Sequence, residues 1–360
     1  HISKEGTIKM LVNFGDNMVF ESASQQTMIF NIQKNAEKLD FTVKYSELMK
    51  DIESGDELTE FLMQKKCDGF KYFSSRLNRT TFEDGASIQF LDERISQVID
   101  SILLNKSTYL QKDEITNGIH PHHAKVTNKM LSDLEGAIQG DGIFVLNSSE
   151  VDDMNLDDYE KNLLKKCYSS KDINRYYFND SNPEWIIYTE SKFKDIKYIE
   201  QYPNIKRHLD KFNKVITSDN KPYGLHRARN KEFFDDEKIV SLRKCSVPTF
   251  SYISTESYVL AEYYIIKTKR MNMKYLTTIL NSKLVKFWLR FMGKMQGKNF
   301  QVDKEPLLKI PIVIGTDEQI DRLLYLYDKR VGMNNENDIS MIELEIDNIV
   351  YDIYNLEEDY

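Results

Sequence analysis

The sequence lacks long apolar runs, paired cysteines and any abundance of glycine or proline. Without about 18 consecutive apolar residues it offers no membrane span, and its start shows no basic and then apolar signal peptide. Its three cysteines, Cys67, Cys167 and Cys245, stand far apart. That spacing favours reduced thiols in a cytoplasmic protein over a disulfide framework. With 14 Gly and 7 Pro in 360 residues, we expect a well-ordered globular chain.

Excess positive charge is also missing, because the net charge is −8 at pH 7. This balance argues against a protein that coats nucleic acid non-specifically, although it leaves room for a local basic cleft. A chain of 360 residues is long enough for two or three structural units. It begins at His1 without Met, directly in strand-like sequence, so we expect it to be part of a longer protein.

Three enzyme signatures are incomplete. The glycines at 139–142 precede a strand and lack a third glycine, so they do not form a dinucleotide loop. The quartet 182–185, Asn-Pro-Glu-Trp, has Glu184 where the catalytic motif of amino-methyltransferases needs a second proline, and we interpret it as a turn. A nuclease metal site at 235–238 is not favoured, because its acids are consecutive and lack a separate upstream acid.

The run 275–312 is the region around which we expect the rest of the chain to be organised. Its first half predicts one helix over 274–292, which Gly293 ends. Apolar side chains cover most sides of this helix, so we expect it to be buried. One narrow edge is cationic and carries Lys283, Lys286 and Arg290. Asn281 and Ser282 fall within the helix and are interpreted as structural.

A loop rich in hydrogen-bond donors follows at 293–301, with the sequence GKMQGKNFQ. Lysine neutralises phosphates, and Gln or Asn can bond an adenine edge through two atoms. The candidate DNA contacts here are Lys294, Gln296, Lys298, Asn299 and Gln301, with the three helix cations as phosphate or structural support. The alternative is a solvated helix edge followed by an ordinary connecting loop.

A second cationic stretch spans 206–244, which contains 11 Lys and Arg residues and 6 Asp and Glu residues. Within it, 221–229 contains a Pro and a Gly that would expose it, a Tyr that could stack on a base and two Arg that could grip guanine or phosphate. The candidates in this stretch are Lys221, Tyr223, His226, Arg227, Arg229, Arg243 and Lys244. The alternative is a solvated loop whose arginines pair with Asp235 or Asp236. We expect both candidate loops to face one shared groove.

Three histidines occur together in the loop 118–123, GIHPHH. Pro121 and the adjacency of His122 and His123 make convergence on one metal ion difficult, and no acidic or Cys ligand is close in sequence. We therefore predict no metal site. A partner-contacting loop and a plain surface loop both stay open.

The apolar patterns indicate an α+β fold. Short strands are predicted at 7–14, 18–20 and 27–32, with a turn at 15–17, and we expect them to complete a sheet whose other strands are missing. Mostly helical sequence is predicted over 35–115 and 148–176. Further strands are predicted at 186–189, 239–242, 250–253 and 258–267. Two helices that pack on each other or on 90–104 follow after 316.

Four ordered blocks carry a family resemblance: 11–30, LNSKL at 280–284, GKMQGKNFQVDKEPLLKIPI at 293–312 and IDNIVYDIYNL at 346–356. The last three resemble the TaqI-like C-terminal specificity domain of adenine-specific DNA methyltransferases and Type IIG restriction–modification enzymes. The first block resembles the end of the catalytic domain of those enzymes. Residues 40–115 match no family.

The resemblance implies a mixed-sheet target-recognition domain at 118–315. From the sequence pattern we expect a helical connector at 35–117 and C-terminal helices at 316–360. The last strands of a methyltransferase sheet would precede them at 1–34. The resemblance also implies that the chain recognises double-stranded DNA. A missing N-terminal catalytic domain would bind S-adenosylmethionine and the flipped adenine. We expect no cofactor and no methyl transfer in this chain alone. The alternatives are a protein-interaction scaffold and a specificity subunit without its own methyltransferase.

Overall fold

The computed structural model describes residues 6–20, 26–34, 39–79, 88–181 and 184–356. The chain divides into two compact units. The first comprises His1–Asn105, Gln296–Lys298 and Asn355–Tyr360, and the second comprises Lys106–Met295 and Asn299–Tyr354. Both contain helices and strands, so the α+β fold class is confirmed. Asn182 and Pro183 of the quartet, and residues 21–25 of the opening block, lie outside the described residues.

The first unit contains a mixed sheet with the strand order β2-β1-β3-β4. Its strands are β1 (Thr7–Asn13), β2 (Met28–Gln33), β3 (Asp40–Leu48) and β4 (Phe70–Asn78). β1 runs antiparallel to β2 and parallel to β3, and β3 runs antiparallel to β4. The helices of this unit are α1 (Gly55–Leu62) and α2 (Glu93–Asn105). Phe61 of α1 is fully buried beside Phe14, which follows β1.

The prediction that 35–115 is mostly helical is wrong, since β3 and β4 lie inside it and are nine residues long each. In β3, Phe41 and Val43 alternate with exposed polar neighbours, which is the period-two pattern of a half-buried strand. Two helical patterns were correctly recognised there: the apolar set Leu58, Phe61 and Leu62 lies on α1, and the helix over 90–104 is α2. These strands also complete the sheet that β1 and β2 begin. The predicted strand at 18–20 is absent, although the turn at 15–17 is confirmed.

β2 is an edge strand of this sheet and is exposed on both faces. Among its apolar side chains, Met28 is 48% exposed and Phe30 is 50% exposed. Ile29 and Ile32 are exposed as well. Apolar side chains on both faces of an edge strand are uncommon in a free-standing sheet, because they offer both a hydrophobic surface and an unpaired hydrogen-bonding edge.

The second unit contains three small sheets. Their strands are β5 (Ile115–Asn117), β6 (Val145–Leu146), β7 (Leu164–Tyr168), β8 (Glu184–Ile187), β9 (Lys238–Leu242), β10 (Lys244–Cys245), β11 (Phe250–Ile253), β12 (Tyr258–Val259), β13 (Tyr263–Ile266), β14 (Lys294–Gln296) and β15 (Asn299–Gln301). The strand orders are β11-β9-β13-β5, β12-β7-β8-β6 and β10-β15-β14. The first of these sheets is antiparallel throughout, whereas β12 runs parallel to β7 in the second.

The helices of the second unit are α3 (Ser148–Asp153), α4 (Ile196–Ile199), α5 (Pro203–Asp210), α6 (Met273–Asn281), α7 (Lys283–Met292), α8 (Lys304–Leu308), α9 (Asp317–Val331) and α10 (Glu336–Ile353). The predicted helix over 148–176 is wrong, because α3 ends at Asp153 and β7 occupies 164–168. The two C-terminal helices pack on each other, and Arg322 of α9 pairs with Glu345 of α10. No helix within the described ranges is long and apolar enough to cross a membrane.

A buried ion pair joins the start of β5 to the segment after β13. Arg270 donates to both oxygens of Glu114, with Nε–Oε1 and Nη2–Oε2 distances of 2.7 Å. The hydroxyl of Thr268 donates to the same carboxylate. Burial raises the pKa of Glu114, but these hydrogen bonds outweigh burial and bring the pKa to about 2. The carboxylate therefore stays charged inside the fold and fixes where β5 begins.

Candidate nucleic-acid interface

The loops 118–123 and 221–229 are joined through their backbones. The amide of His120 donates to the carbonyl of Arg227 at 3.0 Å, and the amide of Arg227 donates back at 2.9 Å. These bonds form one antiparallel bridge between loops that lie more than 100 residues apart in sequence. Since the bonds use backbone atoms, the bridge holds both loops in place whatever side chains they carry.

Gly118 brings the first loop close to the turn between β12 and β13. A Cβ atom at this position would lie 2.0 Å from the carbonyl oxygen of Leu260 and 2.4 Å from that of Val259. The amide of Gly118 donates to the carbonyl of Tyr263 at 3.0 Å. Only glycine permits so close an approach of two backbones, and the loop therefore leaves β5 in a fixed direction.

The second loop is anchored beside the end of β8. The amide of Leu225 donates to the carbonyl of Thr189 at 2.9 Å, and the hydroxyl of Thr189 donates to the carbonyl of Tyr223 at 2.6 Å. Asn220 adds a hydrogen bond from its side chain to the carbonyl of Leu225 at 2.9 Å. Tyr223, Gly224 and Leu225 are all buried, whereas Arg227, two positions further on, is exposed.

Tyr223 cannot stack on a base, so its predicted role is wrong. The side chain is only 3% exposed, and its hydroxyl donates to Asp210 Oδ1 at 2.7 Å. Burial, followed by this hydrogen bond to the carboxylate, raises the pKa of Tyr223. The aromatic ring thus serves the core beneath the loop. Proline and glycine neighbours did not expose it, because an apolar ring gains more from burial than from a place at the surface.

Arg227 and Arg229 differ in what holds them. Arg227 is exposed, whereas Arg229 is half-buried with φ 69° and donates through Nε to the carbonyl of Gly118 at 3.2 Å. Burial and then the charge of Arg227 lower the pKa of Arg229. Within the described ranges neither guanidinium forms a salt bridge, so the predicted alternative of pairing with Asp235 or Asp236 is wrong.

The joined loops gather histidines from both segments. The ring centroids of His120 and His226 lie 5.2 Å apart, those of His122 and His226 lie 6.0 Å apart, and those of His122 and His123 lie 4.1 Å apart. Sequence reasoning missed this convergence, since it treated the two loops separately. Over the part of the chain that the structure describes, no group of three or more His, Cys, Asp or Glu could hold a metal ion.

Lys238, at the end of the acidic run, has a structural role. Its side chain is buried and its Nζ donates to the backbone carbonyls of Asp236, at 2.9 Å, and Thr255, at 2.6 Å. Burial lowers the pKa of Lys238 to about 8. The lysine of the rejected nuclease hypothesis therefore faces the interior of the protein.

The prediction of one continuous helix at 274–292 is wrong, because the structure has two helices there. α6 ends at Asn281, and Ser282 caps α7 by accepting a hydrogen bond from the amide of Val285. Asn281 accepts from the amide of Phe250 at 3.1 Å and donates to its carbonyl at 2.7 Å. The structural interpretation of Asn281 and Ser282 is confirmed. Both side chains can compete with helical hydrogen bonding, and here they end one helix and begin the next.

The cationic edge of α7 is exposed at all three positions, Lys283, Lys286 and Arg290. Lys283 lies 3.5 Å from Asp347 of α10, measured from Nζ to Oδ2. Its backbone amide also donates to Asp347 Oδ1 at 2.7 Å. Lys283 is thus tied to α10, while the other two cations have no salt bridge to a described residue.

The donor-rich segment at 293–301 is a β-hairpin instead of a loop. β14 and β15 flank Gly297, whose φ of +57° favours glycine. Gln296 and Lys298 are exposed at the turn, and Asn299 is half-buried. Glycine and asparagine near a tight turn are the signal that could have revealed the hairpin from the sequence.

Several of the remaining candidate residues form ion pairs or hydrogen bonds with carboxylates of this chain. Lys294 pairs with Glu305 at 2.8 Å and Arg243 pairs with Asp303 at 2.7 Å. Gln301 is half-buried and donates to Asp303 Oδ2 at 2.7 Å. Hydrogen bonds from Lys294 and Lys309 lower the pKa of Glu305 to about 2. Lys221 and Lys244, by contrast, are exposed without a described acidic partner.

The structure therefore brings Arg227, Arg229 and the histidines together, and separately brings Arg243 and Gln301 together at Asp303. A groove shared by the loop 221–229 and the tip of the hairpin stays a prediction.

The turn after β1 is held by close backbone packing. Gly15, with φ +60°, lies against the backbone of Leu48, whose carbonyl oxygen would be 2.6 Å from an added Cβ. Its amide donates to the side chain of Asn13 at 3.0 Å.

Comparison with known proteins identifies the family that part of the chain resembles. Residues 165–312 match the family model of the TaqI-like C-terminal specificity domain, and the predicted resemblance is confirmed. No curated protein matches the chain.

Two solved structures are similar in fold. The Type IIL restriction–modification enzyme MmeI, solved in complex with DNA, aligns with a TM-score of 0.55 at 12% identity. The alignment covers 98% of this chain and 44% of that enzyme, so the chain spans less than half the length of this relative. The type IIG restriction endonuclease BpuSI aligns at 13% identity with the same coverages and a TM-score of 0.38, which is too low to support an argument.

Proposed function

We propose that this chain recognises a double-stranded DNA sequence for an adenine-specific DNA methyltransferase of a restriction–modification system. The observation that carries the proposal is Arg227, an exposed guanidinium without an acidic partner among the described residues, on a loop fixed by backbone hydrogen bonds. The loop lies inside the segment that matches the specificity domain. MmeI, which shares the fold, was solved with DNA bound.

The fixed backbone matters for reading a base sequence. A guanidinium recognises guanine through two hydrogen bonds to O6 and N7, and this requires both position and orientation. Arg227 has its amide and its carbonyl bonded to His120, so the side chain starts from a defined point. Exposed lysines without described acidic partners, such as Lys221 and Lys298, would hold phosphates, while Gln296 would bond an adenine edge.

A catalytic domain that binds S-adenosylmethionine completes the proposal. β2 supports it, because its apolar side chains are exposed on both faces at the edge of the first sheet. Covering them against another domain would remove that surface from water. The methyl donor would bind in that domain, and the residues of this chain would select the DNA site and hold the duplex.

The proposal is tested by selecting duplexes from a randomised library with the full chain and sequencing the bound fraction. We expect enrichment of one short motif, and a binding constant that falls steeply as salt rises. Arg227→Ala should relax the preference at one base pair and weaken binding to the selected duplex about tenfold, the size of a lost two-bond contact to guanine.

Arg322→Ala is the matched control, since it removes the same charge from a residue that is paired with Glu345. It should leave the motif and the affinity unchanged. A chain that binds no duplex at low salt would contradict the proposal and favour a protein-interaction scaffold. Equal weakening of Arg227→Ala on all sequences would reassign Arg227 to a phosphate contact.

A further inference from the structure

Four of the six histidines of the chain lie at the joined loops. His122 has φ 79°, and its Nε2 lies 2.9 Å from the hydroxyl of Thr217. The amide of His122 donates to Nδ1 of His120 at 3.3 Å. Nδ1 of His226 is buried without a hydrogen-bond partner among the described residues. The two backbone bonds between His120 and Arg227 place this cluster directly beside the unpaired guanidinium.

The charges around the cluster are nearly all positive or neutral. On the loop 118–123 they are the three histidines themselves, and on the facing loop they are His226, Arg227 and Arg229. Glu190 lines a pocket of about 320 Å³ together with His226 and both arginines, and it is the acidic residue among the described residues that line this pocket. Glu190 has its own cation, because Lys192 Nζ lies 3.5 Å from its carboxylate. No described carboxylate pairs with a cluster imidazole.

We propose that the histidine loop is a second DNA-phosphate contact beside Arg227, and that the imidazoles of His122 and His123 take up protons when the duplex binds. This inference rests on the proposed function, because it specifies how the same surface holds DNA. A neutral or positively charged partner is not favoured, because the surface presents several nitrogen donors together with two guanidinium groups, which suit a negatively charged phosphate. A metal ion is not favoured either, because the described histidines do not converge in a way that could hold one.

The direction in which DNA affinity changes with pH follows from the surroundings of His122 and His123. Burial, and then the neighbouring histidines, lower the pKa of His122 and of His123 in the free protein. Both imidazoles are therefore mostly neutral near pH 7 before DNA arrives. A phosphate close to them favours the charged form and raises their pKa values in the complex. Binding is then accompanied by proton uptake, and by linkage the affinity must rise as the pH falls.

The test measures binding of the full chain to a fluorescent random-sequence duplex of about 30 base pairs, at about pH 8 and about pH 6. For the wild type we expect binding to tighten roughly tenfold at the lower pH, as two imidazoles gain charge. The salt dependence should also steepen, by about 0.9 in the logarithmic slope for each proton taken up.

Two variants separate charge from structure. His122→Asn with His123→Gln removes the titrating groups, and Asn tolerates the positive φ of His122. This double variant should bind at both pH values with the weaker affinity of the wild type at about pH 8. His123→Lys carries a fixed charge and should bind more tightly than the wild type at about pH 8, with a smaller change on acidification. A purely structural role of the histidines would not produce this opposite pair of effects.

His208→Gln is the control, since His208 is buried and hydrogen-bonded to the carbonyl of Ile143. It should keep the full gain in affinity at about pH 6. Wild-type binding that does not change with pH would overturn the inference, as would a full gain in both loop variants. A chain that binds no duplex at either pH would overturn the proposed function instead.

Discussion

The loop 221–229 and the segment around the hairpin carry similar side chains, but their cations have different surroundings. In the loop, Arg227 has no described acidic partner and is positioned by its backbone. Around the hairpin, Lys294 pairs with Glu305 and Arg243 pairs with Asp303. The same residue type is therefore available to a ligand in one region and largely neutralised in the other.

This difference shows that counting charges along a sequence overestimates a binding surface. A paired cation must give up its carboxylate before it can neutralise a phosphate, and an exposed pair gains little from staying together. The backbone-anchored loop has no such competitor. We expect the loop cations to contribute most to affinity, and the paired cations to contribute mainly to local structure.

The largest expected effect concerns the ion pair of Glu114 with Arg270. Glu114→Gln should lower the free energy of unfolding by about 2 kcal/mol, less than the roughly 3–5 kcal/mol of a fully buried pair, because Arg270 is partly exposed. The folded-state pKa of Glu114 is depressed from 4.5 to about 2. Its contribution is thus fully present above pH 4.5 and is lost as the pH falls toward 2. Denaturant unfolding of both proteins at several pH values would measure this.

A variant that kept full stability near neutral pH would show that the pair is dispensable and would weaken the assignment of paired cations to structure. Glu318→Gln, on the exposed start of α9, is a suitable control and should be neutral.

Tyr223→Phe separates the contribution of Tyr223 to the stability of the loop 221–229 from any contribution to DNA binding. Losing the hydroxyl that donates to Asp210 should cost about 1 kcal/mol of unfolding free energy, the usual net value of such a bond. DNA affinity should not change, because the ring faces the core. A large loss of affinity at unchanged stability would return Tyr223 to the binding surface.

Within the hairpin, Lys298 and Lys294 form a matched pair of exposed lysines, of which only Lys294 has a described acidic partner. Lys298→Ala should weaken DNA binding about threefold and reduce the logarithmic salt slope by about 0.9. Lys294→Ala should change both quantities much less. Equal effects of the two substitutions, measured by salt titration of duplex binding, would remove the distinction between paired and unpaired cations.

The smallest effect would come from converting a paired cation into an unpaired one. Asp303→Asn frees Arg243 and Gln301 from the carboxylate they share. We expect duplex affinity to rise about twofold and the salt slope to increase, because one more cation can meet a phosphate. An unchanged slope would mean that Arg243 lies outside the interface.

The sequence predicted those elements in which local pattern and tertiary context agree. The spacing of Val98, Ile99 and Ile102 gave α2, because an amphipathic helix needs only one apolar face. The strands β9, β11 and β13 were recognised from their β-branched and aromatic residues. The specificity-domain resemblance came from ordered motifs, and the match over 165–312 bears it out.

Other features depend on partners that are distant in the chain. β3 and β4 were taken for helices although β3 shows the period-two pattern of a strand, and their pairing with each other stabilises them. Tyr223 was placed at the surface because nothing local reveals Asp210 beneath it. The carboxylates that pair with Lys283, Lys294 and Arg243 lie 11 to 64 positions away in the sequence. The sequence separation of charged residues alone does not predict such pairs.

The backbone bridge between His120 and Arg227 also bears on how a recognition surface can diversify. Its two hydrogen bonds involve only amide and carbonyl groups, so they tolerate exchange of both side chains. Mutations at these two positions can then alter the DNA sequence that is preferred without loosening the scaffold. Grafting 221–229 onto a homologue that lacks the segment 118–123 would, by contrast, remove half of the bridge and leave the transplanted segment without its support.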